Sequence, residues 1–273
     1  MKKLLLIFCL LISQNSLAKT KDDILKNKSL SSEQIGYEIA KEAEVRDYGF
    51  VDSISNMEMI LKNEYGQLVS RNMQTKTLEV NKPGLGDKSI SLFFTPQDVK
   101  GTATLSHSKI LEPDDQWLYL PSLKRVKRIS SKNKSGPFLG SEFAYEDITS
   151  QDADKFSYKY LRSEKCPQIY ETIECFVMET YPKYEFSGYT KRVAWVDSID
   201  FRSVKVDFYD RKNELLKTLS YKDYEKFLGK HWRAKTLEMF NHQTKKSTVL
   251  TFKNYKFKNG FTNADFEENV LSR

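Results

Sequence analysis

Ser203–Phe257 reads SVKVDFYDRKNELLKTLSYKDYEKFLGKHWRAKTLEMFNHQTKKSTVLTFKNYKF, and this stretch decides the fold. It divides into four runs, Ser203–Tyr209, Leu215–Phe227, His231–Asn241 and Ser247–Phe257. Large apolar side chains recur at every second position, as at Val206 and Phe208, which places them on one face of a strand. The breaks between runs are short and carry turn chemistry: Asp210-Arg211-Lys212-Asn213, Leu228-Gly229-Lys230 and Asn241-His242-Gln243. Four strands joined by three tight connections make an antiparallel meander.

The same pattern runs upstream. It predicts strands over Phe50–Lys62, Leu68–Asn81, Lys88–Phe94, Thr102–Ile110, Gln116–Leu120, Arg125–Ser130, Lys155–Lys165, Glu174–Tyr181 and Thr190–Asp197. So many strands in succession curl into a barrel or half-barrel. Ahead of them Ser31 and Gln34 have capping-box spacing, and Ile35, Ile39 and Ala43 share a helical face, which predicts a helix ending near Asp47. A short C-terminal helix is expected over Ala264–Leu271, with Asn263 as N-cap. No internal repeat or composition shift marks a boundary, so residues 19–273 read as one domain.

A long loop interrupts the series. Asp114–Asp147 reads DDQWLYLPSLKRVKRISSKNKSGPFLGSEFAYED. A short strand stops at Pro121-Ser122, a basic strand follows, and a polar loop leads to Phe138 and Leu139, set between Gly136-Pro137 and Gly140. Glycine permits backbone states closed to other residues. Bulky apolar residues between such flanks suit a flap that covers an apolar surface and moves. Lys124, Arg125, Lys127 and Arg128 suit contact with anionic lipid headgroups or an acidic partner; alternating cations on an exported strand argue against nucleic acid.

The N-terminus predicts export. Lys2 and Lys3 precede an apolar run, Leu4 to Ile12, and Ser16-Leu17-Ala18 offers a small-x-small cleavage site. This is a secretory signal peptide, residues 1–18, too short for a membrane anchor. Cys9 lies inside the apolar run, far from the cleavage site, so it does not mark lipidation. The reading places the protein in the periplasm. Net charge falls from +7 to +5 once Lys2 and Lys3 leave. Cys166 and Cys175 bracket CPQIYETIEC between two strands, and in an oxidising compartment they predict a disulfide across the connection.

The residue inventory argues against chemistry. His107, His231 and His242 are widely separated, and neither His-Glu-x-x-His nor Gly-x-Ser-x-Gly occurs. Asp87 interrupts the loosely phosphate-loop-like Gly84–Ser89, and Asp152-Ala153-Asp154 lacks the glycine and distal glutamate of a calcium loop. No catalytic residue, metal or cofactor is expected. The strands instead carry large apolar side chains at strand spacing. Met57, Met59, Leu92, Phe94, Leu118 and Leu120, with Phe138 and Leu139 from the flap, are the candidates to line a hydrophobic cavity.

Two blocks, GTATLSHSKILEPDDQWLYLPSLKRVKRI (Gly101–Ile129) and FLGSEFAYED (Phe138–Asp147), together with the run from Val196 to Phe252, resemble the LolA-like outer-membrane lipoprotein-sorting proteins, in the branch associated with RND-type lipid exporters. The resemblance spans most of the chain after about Asp47. It implies an incomplete antiparallel β-barrel whose open side is plugged by helices. It implies a cavity that shields the acyl chains of a lipoprotein or free lipid in transit, and an inner-membrane RND-type exporter as partner. The alternative is an accessory subunit that docks on an exporter and carries nothing, for which the cavity would be filled.

Overall fold

Alternation of buried and exposed side chains builds one sheet. The computed structural model describes residues 18–272; the expected signal peptide, up to Leu17, lies outside the described residues. Two helices, α1 (Lys21–Leu25) and α2 (Ser32–Asp47), precede thirteen strands. These are β1 (Asp52–Lys62), β2 (Leu68–Leu78), β3 (Leu85–Thr95), β4 (Ala103–Lys109), β5 (Asp115–Leu120), β6 (Arg125–Arg128) and β7 (Phe156–Lys165), followed by β8 (Glu174–Pro182), β9 (Lys191–Asp197), β10 (Ser203–Tyr209), β11 (Leu215–Phe227), β12 (His231–Asn241) and β13 (Ser247–Phe257). Every predicted strand is present, and the last four have the predicted bounds.

The spatial order is β6-β5-β4-β3-β2-β1-β13-β12-β11-β10-β9-β8-β7, antiparallel throughout. First and last strands pair in the middle, with Met59 opposite Leu250. β6 and β7 are left as free edges, so the sheet is an incomplete barrel. This topology has a consequence for residues 129–155. They join one edge to the other and must cross the whole sheet, which they do over its concave face.

The helix forms as its cap dictates. Gln34 N–H donates to Ser31 Oγ at 3.3 Å, and Ser31 N–H to Gln34 Oε1 at 2.8 Å. Ile39 is fully buried, and Gly36 lets α2 lie directly on β7: a Cβ there would meet Tyr158 Cβ at 2.7 Å. Glu42 is buried and held by Arg46 at 2.7 Å.

The C-terminus corrects the expectation. Ala264–Leu271 is not an α-helix but two 3-10 turns, Asn263–Phe266 and Glu268–Ser272, and the cap is Thr262. Phe266 and Leu271 both enter a second core with Leu78, Ala103 and Leu105 on the outer side of the sheet. Residues five apart point to different sides of an α-helix, so a kinked path is what buries both.

Cys166 and Cys175 are bonded, S–S 2.00 Å, in a small cluster with Val204. The double change Cys166→Ser/Cys175→Ser is expected to lower stability by roughly 2–3 kcal/mol, the chain-entropy value for a short loop. Urea denaturation of the variant checks this, and a loss below about 0.5 kcal/mol would contradict it.

Candidate functional site

The concave face has two covers, and each is fastened by polar side chains. α2 lies over β7 and reaches β12. Glu44 Oε2 accepts from Ala153 N–H at 2.8 Å, Tyr37 donates to Asp154 at 2.9 Å, and His231 Nδ1 donates to the Asp47 carbonyl at 3.0 Å. The crossing segment lies over the other half. Pro137 bridges to Ala144, and Leu139 and Gly140, at φ 48° and 79°, turn the chain between them.

Tethers to strands on both halves of the sheet pin this segment. Arg71 of β2 donates to the Leu139 carbonyl. Lys155 of the segment donates to Ser108 of β4 at 2.6 Å, and Gln116 of β5 to the Tyr145 carbonyl at 3.0 Å. Lys217 of β11 donates to Glu142 O at 2.8 Å and pairs with Asp147 at 2.7 Å. Asn241 of β12 donates to Glu142 Oε2 at 2.7 Å, and Thr248 of β13 accepts from Glu142 N–H at 3.0 Å. Asp147 also accepts from Tyr189 Oη at 2.8 Å. Glu146 is buried and takes hydrogen bonds from Tyr184, Ser187 and the Gly188 N–H. The expected flap is thus a tethered bridge. Phe138 packs between Phe93 and Tyr145, ring centroids 6.3 and 5.5 Å away, and is 3% exposed.

Under the covers the space is incompletely filled. A chamber of about 190 Å³ lies between the bridge and β1–β4, β12 and β13; Met57, Met59, Phe138, Phe143, Leu250 and Phe252 form its apolar wall. A band of hydroxyls on β2–β4 completes its lining: Thr75, Thr77, Ser89, Ser91, Thr104 and Ser106. A second chamber of about 170 Å³ lies against β7–β11 beneath α2, lined among others by Phe156, Met178, Ala194, Val206, Phe208 and Leu219. Asp147 stands in the wall of both. Either space holds many water-sized spheres, each needing roughly 10–15 Å³. An outer opening of about 570 Å³ adjoins the second chamber and shares Ala40, Ala43 and Gln151 with it.

The structure brings some sequence candidates together and separates others. Met57, Met59 and Phe138 line the first chamber, and Leu139 packs half-buried beside them. Leu118 and Leu120 share the inward face of β5 with Gln116 and are half-buried. Leu92 and Phe94 lie on the other side of β3, 39% and 42% exposed, while Phe93 between them is fully buried. That assignment is corrected: β3 turns Ser89, Ser91 and Phe93 inward, and because Phe93, opposite Met73, takes the inward parity, Leu92 and Phe94 must take the outer side. Lys124, Arg125, Lys127 and Arg128 are all exposed at the β6 edge, with Arg128 paired to Asp115. Arg125 and Lys127 stand opposite Leu120 and Leu118, so two cations flank two leucines at the lip of the concave face.

Sequence reasoning missed Asp147, Lys217 and Arg192. The signal for the two cations was present: each alternates with inward apolar residues, Arg192 with Ala194 and Val196, Lys217 with Leu219 and Tyr221.

Charge at the outer opening is acidic. Burial pushes the Asp87 carboxyl up to about 7, reinforced by Asp152, Glu79 and Asp47 and opposed by the Val80 N–H. The folded state therefore holds a proton on Asp87 between about pH 4 and 7 that the unfolded chain releases. Stability from this group is full below pH 3.8 and lost as pH rises through about 7. Asp87→Asn is expected to abolish that fall and to gain roughly 1–2 kcal/mol over the wild type at pH 8. Denaturation at pH 5 and pH 8 checks it; parallel pH profiles would contradict it.

Comparison with known proteins bears on this architecture. A family model described as "Uncharacterized protein" matches residues 86–273. A LolA superfamily protein from Nitrosomonas europaea superposes with TM-score 0.69 over 86% of this chain and 98% of its own, at 21% identity, which shows the fold. A structure from Vibrio parahaemolyticus, described as an outer membrane lipoprotein-sorting protein domain, is 52% identical over 87% of this chain and 98% of its own, with TM-score 0.83. The chain belongs to this LolA-like family. A DUF1329 family protein from Desulfovibrio piger, 28% identical over 89% of this chain and all of its own, superposes with TM-score 0.82. No curated protein matches the chain. The LolA-like sheet, open along two edges, is the frame on which both chambers are built.

Proposed function

We propose that this LolA-like protein is a periplasmic carrier that shelters the acyl chains of a lipoprotein or lipid beneath α2 and the crossing segment, and moves them toward the outer membrane without chemistry. The observation that carries the reading is the incompletely filled concave face. Apolar residues wall two chambers there, instead of interdigitating as a packed interior does. An acyl chain in water exposes methylenes at about 0.8 kcal/mol each, and transfer into such chambers offsets that. Met57 and Met59 suit a variable guest because methionine adapts its shape. The predicted signal peptide and the disulfide fit an oxidising compartment. The basic edge, with Arg125 and Lys127 beside Leu118 and Leu120, suits a membrane surface or an acidic face of an inner-membrane exporter. A subunit that carries nothing would be expected to have a solid interior.

A fluorescent C12–C16 acyl probe titrated into the mature protein is expected to bind saturably, and an unlabelled acyl chain to displace it. Absence of saturable binding would sink the reading.

A further inference from the structure

Arg192 is a buried cation at the wall of the second chamber. It projects from β9 into the second chamber and is 7% exposed. Its Nη1 donates to Gln151 Oε1 at 2.6 Å and its Nη2 to Tyr184 Oη at 3.1 Å. The rings of Phe156, Tyr189 and Phe208 lie 4.7, 5.2 and 5.2 Å from its guanidinium carbon. Its Nε is buried and has no hydrogen-bond partner. Among the described residues no ion pair includes Arg192.

No carboxylate of the described residues touches it: Asp147 is paired with Lys217, and Glu146 reaches Arg192 only through the Tyr184 hydroxyl, which donates to Glu146 at 3.0 Å and accepts from Arg192 at 3.1 Å. A second buried cation, Lys134, lies 3.8 Å from the Tyr184 ring and adds to the positive field. Guanidinium stays charged at any accessible pH, and here Asp147 and Glu146 supply its counter-charge only through space, with no carboxylate of the described residues in direct contact. An ester- or amide-headed chain would leave that charge as it is. An acidic head would complete it.

We propose that the second chamber is the seat of an anionic amphiphile: an acidic oxygen head, carboxylate or phosphate monoester, on Arg192, and an alkyl chain over Val206, Phe208 and Leu219. Gln151 lines both the outer opening and this chamber, so it stands between solvent and Arg192 and gives up its hydrogen bond as the head arrives. The inference rests on the carrier reading and narrows its cargo to free acidic lipid.

Calorimetric titration of the mature protein with palmitate, hexadecanol and a lysophosphatidate tests it. The wild type is expected to bind palmitate at least about tenfold more tightly than hexadecanol, as a charged hydrogen bond requires. Arg192→Gln should erase that preference, bringing palmitate down to the hexadecanol level, and Arg192→Lys should keep part of it. The tighter of palmitate and lysophosphatidate identifies a fatty acid or a phospholipid source. Equal binding of palmitate and hexadecanol by the wild type, or a preference surviving Arg192→Gln, overturns the proposal and leaves the carrier standing. Binding of none of the three overturns both. Should Arg192→Gln fail to fold, the wild-type ratio decides.

Discussion

Lys217→Met is expected to lower the stability of the protein by about 3–5 kcal/mol, the usual loss when one partner of a buried ion pair is removed. Lys217 and Asp147 are 5% and 3% exposed and 2.7 Å apart. Methionine fills much the same space but strands the Asp147 carboxylate, and it also frees the Glu142 carbonyl that Lys217 holds. Adding Asp147→Asn should recover more than half of the loss. An amide oxygen standing where Asp147 Oδ2 is can still accept from both Tyr189 Oη and Ala144 N–H, which bond that oxygen at 3.0 and 2.7 Å, and no unpaired charge remains. Urea denaturation of the single and double variants checks this. A double variant no more stable than Lys217→Met would show that the pair is not the fastening of the crossing segment.

The second large effect concerns the space itself. Ala194→Phe should fill the chamber beneath α2, and Ser91→Phe the chamber beneath the crossing segment, because both positions line those walls. Each should reduce acyl-probe affinity at least about tenfold. Excluding two methylenes already removes about 1.6 kcal/mol of transfer free energy. Overpacking should lower stability by only roughly 1–3 kcal/mol, so circular dichroism should still report a folded sheet. Unchanged affinity in both folded variants would mean that the acyl chain binds elsewhere. Phe138→Ser is a poorer test than its loop setting suggests: Phe138 is as buried as a core residue, and its loss should act mainly on stability.

The strands were legible because alternation and turn chemistry are local signals. Ser203–Phe257 shows this best, with each strand bounded by its turn. The capping box at Ser31 and Gln34 and the pairing of Cys166 with Cys175 were legible for the same reason. Which parity faces inward was not. Met57 and Met59 point into the concave side, whereas Leu92 and Phe94, equally apolar and equally alternating, point out. What decides is Phe93: it stands opposite Met73 and packs on Phe138 of the crossing segment, so its neighbours Leu92 and Phe94 must take the outer side. The crossing segment was legible as a long loop flanked by glycines, but not as a bridge. Its fixity comes from Arg71, Gln116, Lys217, Asn241 and Thr248, spread over strands far apart in the chain. Arg192 and Lys217 share the parity of apolar neighbours in the sequence, but their burial follows only once it is known that this parity faces inward.

A palmitate analogue with a diazirine on its chain, photolysed on the mature protein and followed by peptide mapping, tests the central claim most directly. The label is expected on peptides carrying Met57 and Met59, Ala194, Val206 and Phe208, or Leu250 and Phe252, and to be competed away by unlabelled palmitate. Label confined to the outer face, around Leu92, Phe94 and Trp117, would contradict a carrier that holds its cargo inside the open barrel.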